Sequence, residues 1–215
     1  MADKETTKTR AGGPALSRRE ALAAAGGIAG MLALGGAAAC TEGRPLVRPP
    51  GAAREKDFLA LCIKCDRCTS ACPLHAIGPA SITDGFVQMR TPRMDFHHGW
   101  CNFCMKCTEA CPTGALEPLA EPGPFDHPKA IGTAEITRNC IALARGGCTK
   151  CYEACNEGAI TLNDDNVPVV DPELCTGCGL CVLVCPANVL GSFSGSSERG
   201  VEIRPPKGKK GGADK

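Results

Sequence analysis

Cysteine spacing constrains this chain more than any other feature. Sixteen of its seventeen cysteines fall into four groups of four. Three groups share the spacing C-x2-C-x2-C-x3-C-P: Cys62, Cys65, Cys68 and Cys72 before Pro73; Cys101, Cys104, Cys107 and Cys111 before Pro112; Cys175, Cys178, Cys181 and Cys185 before Pro186. The remaining group, Cys140, Cys148, Cys151 and Cys155, has a stretched first gap and Asn156 in place of the proline. Two-residue gaps let a backbone wrap one small object and bring three thiolates to it. The cysteine after the three-residue gap points away, toward a neighbouring site. This is the spacing that ligates [4Fe-4S] cubanes, with the last cysteine serving the other cluster of a pair. Sixteen thiolates, four to a cluster, give four clusters as the expected cofactor.

Disulfides and zinc are the alternatives. A cysteine-rich exported chain can be a disulfide scaffold. Structural zinc also uses C-x2-C pairs, but it takes two pairs separated by a longer insert. Neither accounts for triplets followed by a further cysteine at a fixed offset, repeated along the chain.

Residues 1–40 read as an export segment rather than part of the fold. Lys4, Lys8 and Arg10 give a polar start, Ser17-Arg18-Arg19 follows, and an Ala/Gly-rich stretch from Ala21 ends in Ala37-Ala38-Ala39-Cys40. The pair Arg18 and Arg19 points to the twin-arginine route, although Ala21 stands where a Phe is common. That route exports folded protein, so clusters built in the cytoplasm would be protected from oxidation of their thiols. Retention as an uncleaved anchor is the competing expectation. Cys40 lies outside every run, at the end of the signal, and is a candidate lipidation site. The expected location is therefore the periplasm, with membrane association through Cys40 or the uncleaved segment as a further expectation.

Residues 41–57, with Pro45, Pro49 and Pro50, read as a linker, and 204–215 as a basic disordered tail. A formal net charge of +1 gives no footprint for nucleic acid. Between these lies the body, expected as an α+β fold of two tandem two-cluster modules, 58–120 and 121–203. Short helices, β-hairpins and little regular secondary structure are expected, with the clusters serving as staples for cores too small to stand alone. Ala159–Leu162 and Val167–Val170 flank an Asn/Asp turn and read as a hairpin between the third and fourth runs. Ile136 and Val201 belong to flanking segments expected to pair, and Phe86-Val87-Gln88-Met89 reads as a strand. If each half is self-contained, Cys62, Cys65 and Cys68 share a cluster with Cys111, and Cys101, Cys104 and Cys107 with Cys72. In the second half, Cys140, Cys148 and Cys151 would join Cys185, and Cys175, Cys178 and Cys181 would join Cys155. An interlaced pairing of run one with four and two with three is the alternative; the hairpin favours the sequential scheme.

With these motifs in place the chain resembles the MauM/NapG ferredoxin-type family over nearly its whole length. The resemblance rests on the signal, the four runs in order, Phe58 to Cys65 around the first run, and the third-run segments Ile131-Gly132-Thr133-Ala134 and Gly147-Cys148-Thr149-Lys150-Cys151-Tyr152. It implies bacterial-type 2[4Fe-4S] ferredoxin modules. It also implies a periplasmic carrier between a membrane-bound quinol-oxidising partner and a periplasmic redox enzyme such as nitrate reductase. Methylamine-utilisation members imply an accessory role instead.

Outside the runs, His97 and His98 are either proton carriers or solvated surface residues. Trp100 and Tyr152 are expected to shield clusters, and Lys64, Lys106 and Lys150 to add positive charge near them. No nucleophile–base pair, phosphate loop or nicotinamide fingerprint is present, which argues against an enzyme acting alone. Two other readings stay open: the iron–sulfur subunit of a different membrane oxidoreductase, and a maturation factor for a periplasmic redox enzyme.

Overall fold

The computed structural model describes residues 17–40, 43–118, 131–187 and 198–206, without the side chains of 33–35 and 37–40. The chain divides into two units, residues 1–42 and 43–215.

The first unit contributes one described helix, α1 (Arg18–Cys40). Ser17 and Glu20 cap it reciprocally: the Ser17 N–H donates to Glu20 Oε2 at 2.8 Å and the Glu20 N–H to Ser17 Oγ at 3.3 Å. Leu22, Ile28, Met31 and Leu32 are exposed along it. Among the described residues no helix is long and apolar enough to cross a membrane, in keeping with the Gly and Ala that dilute this stretch. The side chain of Cys40 lies outside the described residues, as do Lys4, Lys8, Arg10 and the tail from 207.

The second unit repeats one supersecondary plan. In the first half, α2 (Glu55–Leu61) leads into run one, whose third cysteine lies on α3 (Arg67–Ala71). Strands β1 (Ile77–Pro79) and β2 (Pro92–Met94) then pair antiparallel, Ile77 opposite Met94, before run two with α4 (Lys106–Glu109). In the second half, β3 (Thr133–Ile136) precedes run three, which carries α5 (Ile141–Arg145) and α6 (Lys150–Glu153). The hairpin β4 (Ile160–Leu162) and β5 (Pro168–Val170) follows, with Ile160 opposite Val170. Run four carries α7 (Leu180–Leu183), and β6 (Val201–Arg204) closes the half against β3, Ile136 opposite Val201. The first half closes by the same logic with one antiparallel bridge, Ala52 to Leu116. Helix α3 packs on α4, and α6 on α7.

The β4–β5 turn follows from its residues. Asn163 Oδ1 accepts the N–H groups of Asp165 (3.1 Å) and Val167 (2.8 Å), and Asn166 takes the left-handed conformation at φ 58°. The expected strand at Phe86–Met89 does not form. Residues 86–90 are a turn that drives Gln88 inward, to 6% exposure, where its amide donates to Glu55 Oε1 at 3.1 Å, while Phe86 and Val87 face solvent. Strands of three residues with Pro79 and Pro92 at one end survive because a two-stranded ribbon leaves each proline an unpaired edge.

The expected linker is also corrected. Arg48, Pro49 and Pro50 are buried, and Phe58 on α2 has no exposed surface. Arg48 Nε donates to Glu55 Oε2 at 3.0 Å, Nη1 donates to Thr91 Oγ1 and the Pro92 carbonyl at 2.8 Å each, and the guanidinium lies 4.7 Å over the Phe58 ring. Burying Phe58 contributes about 2–3 kcal/mol, so this segment belongs to the first half. At the other end, Arg204 pairs with Thr133 in β6 and is not part of a tail.

One apolar core runs through both halves. It joins Phe58, Ile77, Met94, Phe96 and Leu116 to Ile131, Ile160, Val182, Val201 and Ile203. Where the halves meet, the Cys101 N–H donates to the Cys178 carbonyl at 2.8 Å. The Phe96 ring lies so close to Gly179 that a Cβ there would fall inside it.

Candidate functional site

Runs one, two and four wrap a cavity because the backbone turns left-handed on both sides of the second cysteine. Lys64 (φ 56°) and Asp66 (φ 59°) do this around Cys65, Phe103 and Met105 (φ 56° each) around Cys104, and Gly177 and Gly179 (φ 75° and 80°) around Cys178. Alternating left- and right-handed residues aim successive N–H groups into a concavity that suits an anionic iron–sulfur group. The third cysteine is the second residue of a short helix, and the fourth lies one or two residues past its end.

The third run reaches the same end by another path. Its long first gap is helix α5, begun at Cys140, and Gly146 and Gly147 (φ 75° and 74°) return the chain to Cys148. Asn156 in place of proline changes little. The turn after the fourth cysteine depends on a left-handed residue three positions on, supplied by His75 (φ 51°), Gly114 (φ 71°) and Gly158 (φ 64°) in the first three runs. The His75 and Gly158 N–H groups both return to the carbonyl of the fourth cysteine at 3.3 Å.

The cysteines gather across runs. Cys62, Cys65, Cys68 and Cys111 line one cavity with Phe58, Ala115 and Leu116. A second holds Cys72, Cys101, Cys104 and Cys107 with Ala76, Ile77, Met94 and Trp100. A third holds Cys140, Cys148, Cys151 and Cys185 with Ile141 and Val201. Around Cys181, burial pushes the thiol pKa up and Cys178, Cys175, Cys151 and Cys155 push it further. Cys178 is likewise raised, first by burial and then by its neighbours Cys175 and Cys155. In each of these three cavities three cysteines of one run meet the last of the partner run, and Cys155 is the third-run cysteine that acts on both Cys178 and Cys181. None of the sixteen forms a disulfide.

Burial drives the other inner thiols up as well: Cys68, Cys101 and Cys151 to about 11, and Cys107 to about 12. Thiolates in these cavities need a cationic partner, and binding one releases protons. Cys111 goes the other way. Burial raises it, but hydrogen bonds from Thr113, Leu116 and Ala115 outweigh that and hold it below the usual thiol range. Main-chain N–H groups also reach sulfur at 3.4 Å from Ala76 to Cys72, Phe103 to Cys101, and Ala134 to Cys175. Such bonds tune a bound cluster's potential. A zinc ion would draw its sulfurs to about 2.3 Å from one point, and among the described residues no group of His, Cys, Asp or Glu stands at single-ion spacing. Four sulfur donors, apolar walls and N–H groups aimed at sulfur fit a cubane.

Trp100 lines the second cavity, whereas Tyr152 is exposed. Lys150 pairs with Glu153 at 2.9 Å and Lys64 donates to the Val87 carbonyl at 3.3 Å. His98 Nδ1 lies 2.9 Å from Asp95 Oδ2, and His97 Nε2 lies 3.6 Å from Glu202 Oε1. The sequence reading missed the buried arginines Arg48 and Arg199; an isolated arginine between prolines or beside glycine carries no burial signal.

Comparison with known proteins agrees with the division into halves. Residues 61–115 and 134–191 each match a 4Fe-4S dicluster domain. The chain is therefore a tandem of two dicluster domains that bind [4Fe-4S] clusters. It is 32% identical over 188 residues to the methylamine utilization ferredoxin-type protein MauM of Paracoccus denitrificans, covering 79% of this chain and 83% of that protein. It is 31% identical to the ferredoxin-type protein NapG of Escherichia coli, covering 78% of each, and 30% identical to NapF of the same organism over 67% of this chain and 82% of the relative. The chain belongs to the MauM/NapG ferredoxin-type family: it is an iron–sulfur electron-transfer protein.

Proposed function

We propose that the sixteen run cysteines hold four [4Fe-4S] clusters and that the chain is an exported carrier in the periplasm. It relays electrons from a membrane-bound quinol-oxidising partner to a periplasmic redox enzyme of the nitrate-reductase kind. The observation that carries the reading is the gathering of thiols into cross-run quartets. Bound clusters supply one-electron storage. The chain's own residues fix the thiols, donate N–H groups to Cys72, Cys101 and Cys175, and exclude water with Phe58, Met94, Leu116 and Val201. The Cys101–Cys178 hydrogen bond sets the two modules' sulfur sites side by side.

Export is supported at α1. Arg18 and Arg19 stand exposed in its first turn, where the helix dipole disfavours cations. Helix stability therefore does not account for the pair, and this supports reading it as an export signal. Iron and acid-labile sulfide on anaerobically purified protein test the clusters, with about sixteen of each expected. Little of either after reconstitution sinks the reading. In the cell, removing a carrier leaves the target enzyme complete but starved of electrons, whereas removing a maturation factor leaves it short of cofactor. Recovery of the chain from the cytoplasmic fraction alone would overturn the export claim.

A further inference from the structure

Arg199 is 7% exposed, yet its guanidinium meets no carboxylate among the described residues. Nη1 donates to the carbonyls of Val182 and, at 2.8 Å, Leu183; Nη2 donates to the His97 carbonyl at 3.4 Å. Nε is buried without a partner. Glu202 takes the main-chain N–H of Arg199 at 2.8 Å, not its side chain. Arginine is almost never buried unless paired, and an unpaired buried charge is strongly disfavoured. Three carbonyl dipoles soften that penalty without cancelling the charge.

The surroundings supply what the protein carboxylates do not. Val182 and Leu183 lie on α7 with Cys181, two residues before Cys185. The next residue along the chain, Gly200, lines the cavity of Cys140, Cys148, Cys151 and Cys185. The guanidinium thus sits at the last turn of the helix that carries Cys181 and leads into Cys185, one ligand for each of the second half's two quartets. Four thiolates around a cubane leave a net negative charge, and net charge is one of the factors that set a cluster's potential. Resting on the four-cluster reading, we propose that Arg199 is the buried counter-charge of the second half's iron–sulfur sites and holds their reduction potentials up.

The test is EPR-monitored potentiometry of the loaded full chain, with iron content measured in parallel. Arg199→Gln is expected to shift at least one midpoint potential downward at unchanged iron content, and Arg199→Lys to keep it near the wild-type value. Arg204→Gln removes a cation from the solvent side of β6, where Arg204 pairs with Glu135 at 3.0 Å. It is the control and should move little, because exposed charges are screened. Unchanged potentials in Arg199→Gln overturn the proposal, as does an equal shift in both Arg199 variants. If Arg199→Gln fails to load while Arg199→Lys loads at the wild-type potential, the charge requirement stands. Failure of both to load assigns Arg199 a purely structural part and overturns it. A wild-type chain without iron and sulfide would fail the four-cluster reading itself, before any variant is compared.

Discussion

The two halves build the same sulfur cradle from different residues. Around the second cysteine of its runs, the first half places Lys64, Asp66, Phe103 and Met105 in the left-handed conformation; the second half uses glycine at Gly147, Gly177 and Gly179. Each non-glycine residue held there is disfavoured by about 1–2 kcal/mol. The first half ties some of these side chains down, with Asp66 bound to Arg90 at 2.9 Å and Lys64 to the Val87 carbonyl. At two of its three positions the second half also needs glycine for room. Gly179 lies against Phe96 from the other half, and Gly177 against the Gly132 backbone. The buried arginines divide the same way: Arg48 is paired with Glu55, while Arg199 meets only carbonyls. One plan has been fitted in one half to its own loops and in the other to close packing and buried charge.

The sharpest way to break the comparison is to test whether both halves swap their last ligand. Cys65→Ala and Cys111→Ala strike one quartet, so the double variant should lose about four irons, as each single does. Cys65→Ala with Cys72→Ala strikes two and should lose about eight. The second half should repeat this with Cys148→Ala plus Cys185→Ala against Cys148→Ala plus Cys155→Ala. Iron loss that follows the run rather than the quartet would show that the sulfurs pair differently in the loaded protein.

Next in size is the glycine asymmetry. Gly179→Ala combines over-packing against Phe96, about 1–3 kcal/mol, with a left-handed penalty of about 1–2 kcal/mol. Anaerobic melts should show a large fall in Tm. Met105→Gly, at the matching position of the first half, should change stability by about 1 kcal/mol or less in either direction, because relief of strain opposes added chain entropy. Equal losses in the two variants would mean that close packing does not distinguish the halves.

Smaller still is the Arg48 pair. Arg48→Met removes the hydrogen bonds to Thr91 and Pro92 and frees Glu55, whose side chain is 41% exposed and can turn to water. The expected loss is about 1–3 kcal/mol. Glu55→Gln added to Arg48→Met should bring little further loss. A large additional loss would show that Glu55 holds the half together through Gln88 rather than through Arg48.

Legibility in the sequence followed locality. Cys62 to Cys72 reads directly because spacing alone fixes what four thiols can reach, and the β4–β5 hairpin reads because Asn163 and Asn166 carry its turn. Phe86–Met89 misled because four residues of mixed polarity carry too little period to separate a strand from a turn. Gln88 is buried there by Glu55, thirty-three positions away. Arg48, Pro49 and Pro50 look like linker chemistry, and only the distant Thr91 and Phe58 make them core. The Cys101–Cys178 contact and the Phe96–Gly179 packing join the halves, and no local pattern announces either.

Where the halves meet, a polar cleft lined by Arg93, Asp95, His97, Glu202 and Arg204 gives the smallest effect. Burial works to raise Asp95, but hydrogen bonds from His98 and the His97 N–H, with the charges of His98 and Arg93, outweigh it and hold the carboxyl below its usual 3.8. Glu202 is likewise held below 4.5: burial opposes, and His97, the Arg199 N–H and the charge of Arg204 prevail. A depressed folded pKa favours the ionised native state, so the stabilisation is present above the unfolded pKa and lost as pH falls through the folded one. Asp95→Asn should therefore lower stability by under about 1 kcal/mol at pH 7, since His98 is largely exposed and solvent screens the pair. Brief anaerobic melts of wild type and variant should give a Tm difference that is present at about pH 5 and closes as pH falls below about 4. Glu202→Gln should trace the same curve. A difference that widens on acidification in either variant would show that the carboxylate is a burden to the fold; in Glu202→Gln it would also show that the His97–Glu202 pair does not join the two halves.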